Sequence, residues 1–331
     1  MHAVLPGISA LLPWLPEYWR EQVTQTGFRG LVDHWHPPQL PFAGRRPAGA
    51  PADLVREVLD RPPAPAAAIL HCDYAIESLH NPDASAAFAT AANEWLFHHW
   101  LVADRRLRAS IVVPSPFPEL AAREIDRWAN QPGWVQVLLP VRSPEPYGSK
   151  NYRPLFAAAA RHGLPVALHY GGAPGNPPTP AGWSTLFMEE YAGMTGVFQT
   201  QVISLVAGGV FDEFPALKIV LVESGFTWLP AMLWRFDKNW KGLRREIPWV
   251  RRPPSDYIRE HFRATIAPGD GPDDPEGLAA MIDDLGIDDL LLYASDYPHE
   301  HGDAAAAWWS GLGAKRRNRI GSENPRALYR L

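Results

Sequence analysis

Short apolar runs alternate with longer amphipathic segments along the chain from Ala66 to its end. Such runs are typical of strands buried on both faces, and the segments between them are typical of the crossover helices of a parallel sheet. With 331 residues, the chain has the size of an α/β protein built as one (β/α)8 TIM barrel. The predicted strands are Ala67–His71, Ala109–Val113, Val135–Pro140, Pro165–Tyr170, Ile219–Glu223, Phe262–Ile266 and Leu290–Ser295.

The segments between these strands predict helices. A Pro/Gly-rich stretch at about residues 36–65 has no sustained period, and it is predicted to be an excursion from the barrel. We expect one domain over residues 1–331, although seven strands are visible and a barrel needs eight. The predicted helices are Pro16–Thr26, Asp83–Ala103, Pro118–Asn130, Tyr152–His162, Phe198–Phe211, Leu229–Asn239, Pro253–His261 and Pro275–Leu285.

Charge and cysteine content narrow the classes of partner. A formal net charge of −5 and a pI near 6.2, with scattered Lys and Arg residues, offer no basic stripe for nucleic acid. No apolar run approaches the roughly 20 residues that a membrane span requires. The single cysteine, Cys72, suits a reducing compartment, and it is also compatible with an exported protein that needs no disulfides. We therefore expect a cytoplasmic protein that binds a small-molecule substrate, without nucleic-acid or membrane partners.

His169 closes a predicted strand. Catalytic groups of such barrels project from the C-terminal ends of strands, so the closing residues are the first candidates for a site. Gly171 and Gly172 follow, and glycine lets the backbone pass close to a ligand. The alternative for His169 is a core histidine with satisfied hydrogen bonds.

Asp296 and His299 follow a strongly apolar strand. A carboxylate buried there without a partner or a metal ion is costly, which favours a functional site. The alternative is that Asp296 caps the next helix. The Pro298–His299 pair is not a usual helix start and disfavours that alternative.

Glu223 places a second carboxylate at the end of an apolar run. A raised pKa or a ligand role would be natural for a carboxylate in this position. The alternative is a buried glutamate held by a neighbouring arginine, because ion pairs can resemble active sites.

Two histidine arrangements near the start of the chain compete for a metal role. His34 and His36 form an alternating pair, and alternate residues of a strand face the same side, as metal ligands require. His2 carries no pattern of its own.

Taken together, several segments resemble the amidohydrolase-2 family of metal-dependent barrels, which includes hydrolases and decarboxylases such as aminocarboxymuconate semialdehyde decarboxylase and resorcylate-type enzymes. The likeness covers essentially the whole chain. Its carriers are Leu11–Trp19, Leu138–Pro140, Pro165–Gly172, Gly209–Lys218, Trp228–Pro230, Ser295–His299 and Glu323–Tyr329.

The resemblance implies a metal site. It identifies His2, His169 and Asp296 as ligands of Zn²⁺ or another divalent ion, with His2 as the histidine of a first-strand motif whose acidic ligand would lie just upstream. We therefore expect that the first strand is truncated in this chain, which agrees with the missing eighth strand. The alternative is that His34 and His36 are the true pair.

The resemblance leaves the reaction open. Decarboxylating members carry a catalytic histidine and then a glutamate after the fifth strand, where this chain has Glu223 and Phe226. We therefore expect hydrolysis of a small organic substrate of an aromatic or carboxylated kind by a metal-activated water, with Asp296, Glu223 and His299 as catalytic groups. One alternative is a non-oxidative decarboxylase, in which His299 or His71 could donate the proton. A second is an impaired or ligand-binding relative that lacks the first acidic ligand.

Other residues are candidates for the pocket and for assembly. Arg235 and Arg244 could anchor a substrate carboxylate, although charges on helices are more often at the surface. A homodimer is expected as one possibility, with the Trp308–Trp309 pair as an interface or as loop aromatics. The aromatic residues expected to shape the pocket are Trp183, Phe226, Trp228 and Trp249.

Overall fold

The computed structural model describes residues 1–28, 30–31, 50–61, 64–72, 74–172, 177, 179–267, 269, 271–272, 274–299 and 308–331. His34 and His36 lie outside the described residues, and so does most of the predicted excursion at about 36–65.

The described chain contains a sheet of seven parallel strands in sequential order. Every neighbouring pair is parallel, so each connection crosses over the sheet, as the alternating pattern predicts. Each strand overlaps one of the predicted apolar runs, and the predicted α/β class is confirmed. The strands are β1 (Ala68–Leu70), β2 (Leu107–Val112), β3 (Trp134–Pro140), β4 (Val166–His169), β5 (Ile219–Val222), β6 (Phe262–Thr265) and β7 (Leu291–Leu292).

The first residues of the chain lie between the two edges of this sheet. His2 forms a parallel bridge with His71, and the bonds from Ala3 N to His71 O (2.8 Å) and from His71 N to Met1 O (2.9 Å) extend it. On the other side, His2 N donates to Tyr297 O at 2.8 Å, just beyond β7. These residues therefore connect β1 with the segment after β7, where an eighth strand of a barrel would lie.

Helices flank the strands in the expected alternation. The main difference from prediction is that a helix expected from Phe198 begins at Phe187. Gly193 and Gly196 interrupt the apolar period there and obscure the start. Glu189 of the first turn accepts hydrogen bonds from the backbone N–H groups of Thr185 and Leu186, which directly precede the helix. The helices are α1 (Glu17–Thr26), α2 (Pro51–Leu54), α3 (Pro82–Trp95), α4 (Pro118–Trp128), α5 (Arg153–Arg161), α6 (Phe187–Ala207), α7 (Val210–Glu213), α8 (Leu229–Leu243), α9 (Pro254–His261), α10 (Pro275–Leu285), α11 (Ala314–Asn318) and α12 (Asn324–Tyr329).

Two apolar layers surround the strands. The larger one lies between the sheet and the helices. The smaller one lies on the opposite face of the strands, where Leu328 and Tyr329 of α12 pack against it. Its members are Leu138, Ala167, Val220, Val222 and Leu292.

The tryptophan pair proposed as an interface is partly internal. Trp308 is 7% exposed, and its indole donates to Pro272 O at 2.8 Å. A side chain used in this way inside the fold is not available to a partner, so Trp308 gives no support to a homodimer. Among the described residues, no helix is long and apolar enough to cross a lipid bilayer.

Candidate metal centre

The carboxyl ends of the strands bring the predicted site residues to one edge of the sheet. His169 closes β4, Glu223 follows β5 directly, and Asp296 lies four residues after β7. Because parallel strands all end at the same edge, residues far apart in sequence meet there. His2 joins them through its bridge with His71.

Two overlapping groups of nitrogen and oxygen donors form at this edge. His2, His169 and Glu223 make up one, and His2, Asp296 and His299 the other, with the ligand atoms of each group within 4.8 Å of one another. All the residues predicted as ligands or catalytic groups therefore lie together, with Glu223 among the donors as well.

The donor atoms are spaced like ligands around one ion. His2 Nε2 lies 2.8 Å from Asp296 Oδ1 and 3.2 Å from Glu223 Oε1, and His169 Nε2 lies 2.9 Å from Glu223 Oε1. Metal–ligand bonds of about 2.0–2.2 Å place neighbouring ligand atoms roughly 3 Å apart. The residues present thus fit a divalent ion in both donor type and spacing.

The orientation of His169 supports a ligand role. Its Nδ1 lies 2.7 Å from the carbonyl oxygen of Tyr170, which can only accept, so Nδ1 carries the proton. In the metal-bound state the ring is neutral, and its lone pair is on Nε2, which lies 2.9 Å from Glu223 Oε1. A metal-ligating histidine commonly shows this second hydrogen bond to a carbonyl.

Both carboxylates extend from strained backbone. Glu223 has φ 60° and Asp296 has φ 51°, in the left-handed region that residues other than glycine rarely adopt. The backbone N–H of Glu223 donates to the Thr265 hydroxyl at 3.0 Å, and that hydroxyl donates to Ala267 O, which ties the strained residue to β6. Such strain concentrates at functional sites, where surrounding contacts maintain it.

The short distances between these ionisable groups, together with their burial, shift their pKa values. Burial would raise the pKa of the Glu223 carboxyl, but His169 and His2 outweigh it and hold the pKa well below its usual value. Burial and neighbouring positive groups, among them His169, lower the pKa of His71. Glu223 is therefore an anion, and His71 is a neutral imidazole.

Aromatic side chains border the donors. The Tyr170 ring lies 5.6 Å from that of Tyr191, which lies 5.7 Å from that of Phe187. Burial raises the pKa of Tyr191, and the negative charges of Glu223 and Asp296 add to the effect, which places Tyr191 near the centre. Sequence reasoning missed these three residues, although Tyr170 directly follows His169.

The four aromatic residues proposed for the pocket differ in their exposure and in their hydrogen bonds. Trp183 is exposed, whereas Phe226 is buried. The indole of Trp228 donates to Ser224 O, and that of Trp249 donates to Ala207 O at the end of α6.

A buried ion pair joins the segment after β3 to α6. Arg142 contacts Glu190 of α6 at 3.3 Å, and both side chains are buried. Arg142 N also donates to Gly171 O, which fixes it beside the His169 strand end. Arg235 and Arg244, proposed as carboxylate anchors, are exposed on or just after α8. Arg142 could have been found from its place two residues after the Leu138–Pro140 segment.

Comparison with known proteins gives a consistent result. The sequence matches the family model described as Amidohydrolase over residues 18–331. A gamma-resorcylate decarboxylase of Polaromonas sp. (strain JS666) is 30% identical over 275 residues, which cover 78% of this chain and 80% of that protein.

Solved structures share the fold. A 2,6-dihydroxybenzoate decarboxylase complexed with 2,6-dihydroxybenzoate matches with a TM-score of 0.70 at 21% identity, over 100% of this chain and 97% of that one. A dihydroxybenzoic acid decarboxylase from Polaromonas sp. JS666, with bound manganese and the inhibitor 2-nitroresorcinol, matches with a TM-score of 0.68 at 23% identity, over 100% and 95% of the two chains.

These comparisons correct one prediction. The matched relatives are decarboxylases, so the predicted hydrolysis by a metal-activated water is wrong. Strand-end histidines and carboxylates serve both reactions, and their pattern alone could not separate them. The match to the family model extends over most of the sequence. The chain therefore belongs to the amidohydrolase-2 family and is an enzyme of the amidohydrolase superfamily.

Proposed function

We propose that this enzyme catalyses the non-oxidative decarboxylation of an aromatic hydroxycarboxylic acid, with a divalent metal ion. One observation carries the proposal. Three histidines and two carboxylates converge at the carboxyl edge of the sheet, in a chain whose 30% identical relative is a gamma-resorcylate decarboxylase. This relationship supports the class of reaction, whereas the individual substrate depends on the surrounding loops.

His2, His169 and Glu223 are the residues that would hold the ion, with Asp296 beside them. Their spacing of 2.9–3.2 Å and the Nε2 lone pair of His169 support this assignment. Glu223 supplies a carboxylate donor beside the two histidines. Imidazole and carboxylate ligands suit both Zn²⁺ and Mn²⁺. The dihydroxybenzoic acid decarboxylase from Polaromonas sp. JS666, which has a similar fold, contains bound manganese.

The reaction replaces a carbon–carbon bond with a carbon–hydrogen bond. The bond between the ring and the carboxylate breaks, its electron pair stays on the ring carbon, CO2 leaves, and the ring carbon takes one proton. The chemistry that a bound divalent ion supplies is the binding and polarisation of substrate oxygen atoms. The remaining requirement is a group that delivers the proton.

Asp296 and His299 are the groups that we propose for proton delivery. Asp296 is 4% exposed and lies within the cluster, so its carboxyl can act away from bulk water. His299 is exposed, and its ring centroid lies 5.0 Å from that of His2. Asp296 would give its proton to the ring carbon, and His299 would return a proton from the solvent.

The aromatic border supports an aromatic substrate. Tyr170, Tyr191 and Phe187 form a continuous set of rings, and the charges of Glu223 and Asp296 act on Tyr191. Aromatic rings favour offset or edge-to-face contacts with one another, and a benzoate ring can make the same contacts.

The test is a decarboxylation assay on the metal-loaded enzyme. The chain is stripped with a chelator, reloaded with Mn²⁺ or Zn²⁺, and incubated with 2,6-dihydroxybenzoate and other hydroxybenzoates. We expect release of CO2 and of the matching phenol in equal amounts, with loss of both after chelation.

His169→Ala and His162→Ala serve as a matched pair of variants. His162 lies after α5 and contacts Asp126 at 2.8 Å, so it tests the effect of losing a histidine outside the cluster. Only His169→Ala is expected to lose activity. A metal-loaded chain that turns over none of the hydroxybenzoates contradicts the proposal and favours the impaired relative.

Location and assembly remain predictions. A cytoplasmic location is supported by the single cysteine of the sequence, Cys72, which is buried and suits a reducing compartment. A homodimer remains a prediction to be tested by light scattering of the purified enzyme.

A further inference from the structure

A chain of hydrogen bonds runs through the interior of the sheet, from the C-terminal helix to the edge that carries the metal centre. It begins at Tyr329, the last residue of α12, and passes through Gln136 of β3 and Ser110 of β2. It ends at His71, directly after β1. Gln136 and Ser110 are 1% and 0% exposed and are register neighbours, so no bulk water competes for these bonds.

The first two donors in this series of hydrogen bonds point toward His71. The Tyr329 hydroxyl donates to Gln136 Oε1 at 2.8 Å, and Gln136 Nε2 donates to Ser110 Oγ at 2.9 Å. Ser110 Oγ then has its own proton to donate to His71 Nδ1, which lies 3.5 Å away at the longest link.

Donation from Ser110 would determine where a neutral His71 ring carries its proton. A ring nitrogen that accepts a hydrogen bond has no proton, so this bond would place the proton of His71 on Nε2. A metal-bound His169 has the opposite arrangement, because its Nδ1 donates to Tyr170 O and leaves the lone pair on Nε2. The two rings are 5.3 Å apart, so one edge of the sheet would then present both an acceptor nitrogen and a donor N–H.

We propose that Tyr329, Gln136 and Ser110 are positioning residues that fix His71 as an Nε2–H donor beside the metal centre. In the decarboxylase, a role that rests on the proposed function, this donor would hydrogen bond an oxygen of the substrate carboxylate or phenol. The position of the proton on His71 does not depend on that function.

The Glu323–Tyr329 segment has no role in the proposed reaction itself, but it positions Tyr329. Asn324 begins α12, and its amide donates to Asp288 O at 2.7 Å and to Leu291 O at 2.8 Å. These bonds tie the helix to β7. Tyr329 then packs against the apolar interior with its hydroxyl at Gln136.

The experiment observes the histidine side chains by nuclear magnetic resonance. The full chain is labelled with ¹⁵N-histidine and measured as purified and again after loading with diamagnetic Zn²⁺. We expect the His71 ring to carry its proton on Nε2 and a bare Nδ1 in both samples. A proton on Nδ1, or Zn²⁺ bound to His71, overturns the proposal.

Three variants test the chain of bonds. Ser110→Ala is expected to shift the ratio of the two His71 tautomers by about fivefold toward Nδ1–H, the factor that one ordinary hydrogen bond supplies. Tyr329→Phe is expected to shift it less, in the same direction. Tyr257→Phe is the matched control. It removes a tyrosine hydroxyl that donates to Asp212 at 3.0 Å and takes no part in the series of hydrogen bonds from Tyr329 to His71. Unchanged tautomers in both test variants overturn the proposal, and Tyr329→Phe decides alone if Ser110→Ala does not fold.

Activity is a separate readout. In the metal-loaded enzyme, Tyr329→Phe is expected to lower kcat/KM by less than about fivefold at unchanged metal content, and Tyr257→Phe is expected to leave kcat/KM unchanged. An unchanged kcat/KM in Tyr329→Phe contradicts the substrate role of His71. If wild type shows no decarboxylation, the proposed function fails, while the tautomer results still decide the positioning role.

Discussion

The Nε2 atom of His2 lies 2.8 Å from Oδ1 of Asp296, although 294 residues separate them in sequence. The same histidine donates its backbone N–H to Tyr297 O and forms a bridge with His71. The contacts that connect the two edges of the sheet are thus the contacts that build the metal centre. Fold and metal binding should therefore depend on each other.

Metal binding is expected to stabilise the fold. A ligand that binds only the folded state adds about 2.7 kcal/mol at one hundred times its dissociation constant. Thermal unfolding with chelator and with saturating Zn²⁺ or Mn²⁺ measures the gain. His169→Ala should abolish it, whereas His162→Ala should retain it. Equal gains in both variants would mean that the ion binds elsewhere.

Replacement of Asp296 by Asn should separate proton delivery from structure. Asn tolerates the left-handed backbone at this position, where φ is 51°, so the local fold is expected to persist. An amide cannot donate a proton as a carboxylic acid does, and we expect kcat to fall by about 10²–10⁴-fold. Steady-state kinetics and metal analysis check this result. A kcat within a few fold of wild type would exclude Asp296 as the proton donor.

The fold and the individual site residues could be predicted from sequence for a simple physical reason. Parallel strands covered on both faces need unbroken apolar runs, and a polar residue that closes such a run marks a strand end. His169, Glu223 and Asp296 were found in this way. Their common edge follows from the parallel order of the strands.

The sequence pattern could not predict the roles of residues that depend on distances between side chains of different strands. Glu223 could be recognised as a carboxylate at a strand end, but its contacts with both His2 and His169 require the curvature of the sheet. The path from Tyr329 to His71 likewise depends on the register of β2 against β3. Gly193 and Gly196 hid the first part of α6, which carries Tyr191 and Glu190.

Acid should remove the stabilising effect of Glu223. Its pKa in the folded state is held below the usual 4.5 by His169 and His2, which outweigh burial. A lowered folded-state pKa means that the contribution is fully present above the unfolded value and is lost as the pH falls through the folded value. In metal-free protein, the stability advantage of wild type over Glu223→Gln should therefore shrink below about pH 4.5.

Urea unfolding between about pH 3 and pH 6 measures this difference, with Glu21→Gln on the exposed face of α1 as the control. The control should change stability little at any pH. An advantage of wild type that stays constant, or grows, as the pH falls would show that Glu223 is not an ion paired with the two imidazoles.

Backbone strain at Glu223 should reverse the usual order of stability, in which an alanine variant is more stable than a glycine variant. Alanine keeps the cost of a positive φ, which is 60° at this residue, whereas glycine adopts it freely. In metal-free protein, Glu223→Gly should therefore be more stable than Glu223→Ala by about 1 kcal/mol. Lys238 is exposed within α8, and there the Lys238→Gly variant should be less stable than the Lys238→Ala variant by about 1 kcal/mol. Urea unfolding of the four variants measures both differences. The same order at both positions would mean that the Glu223 backbone is unstrained, whereas opposite orders would show that the fold carries the strain to aim this carboxylate at His2 and His169.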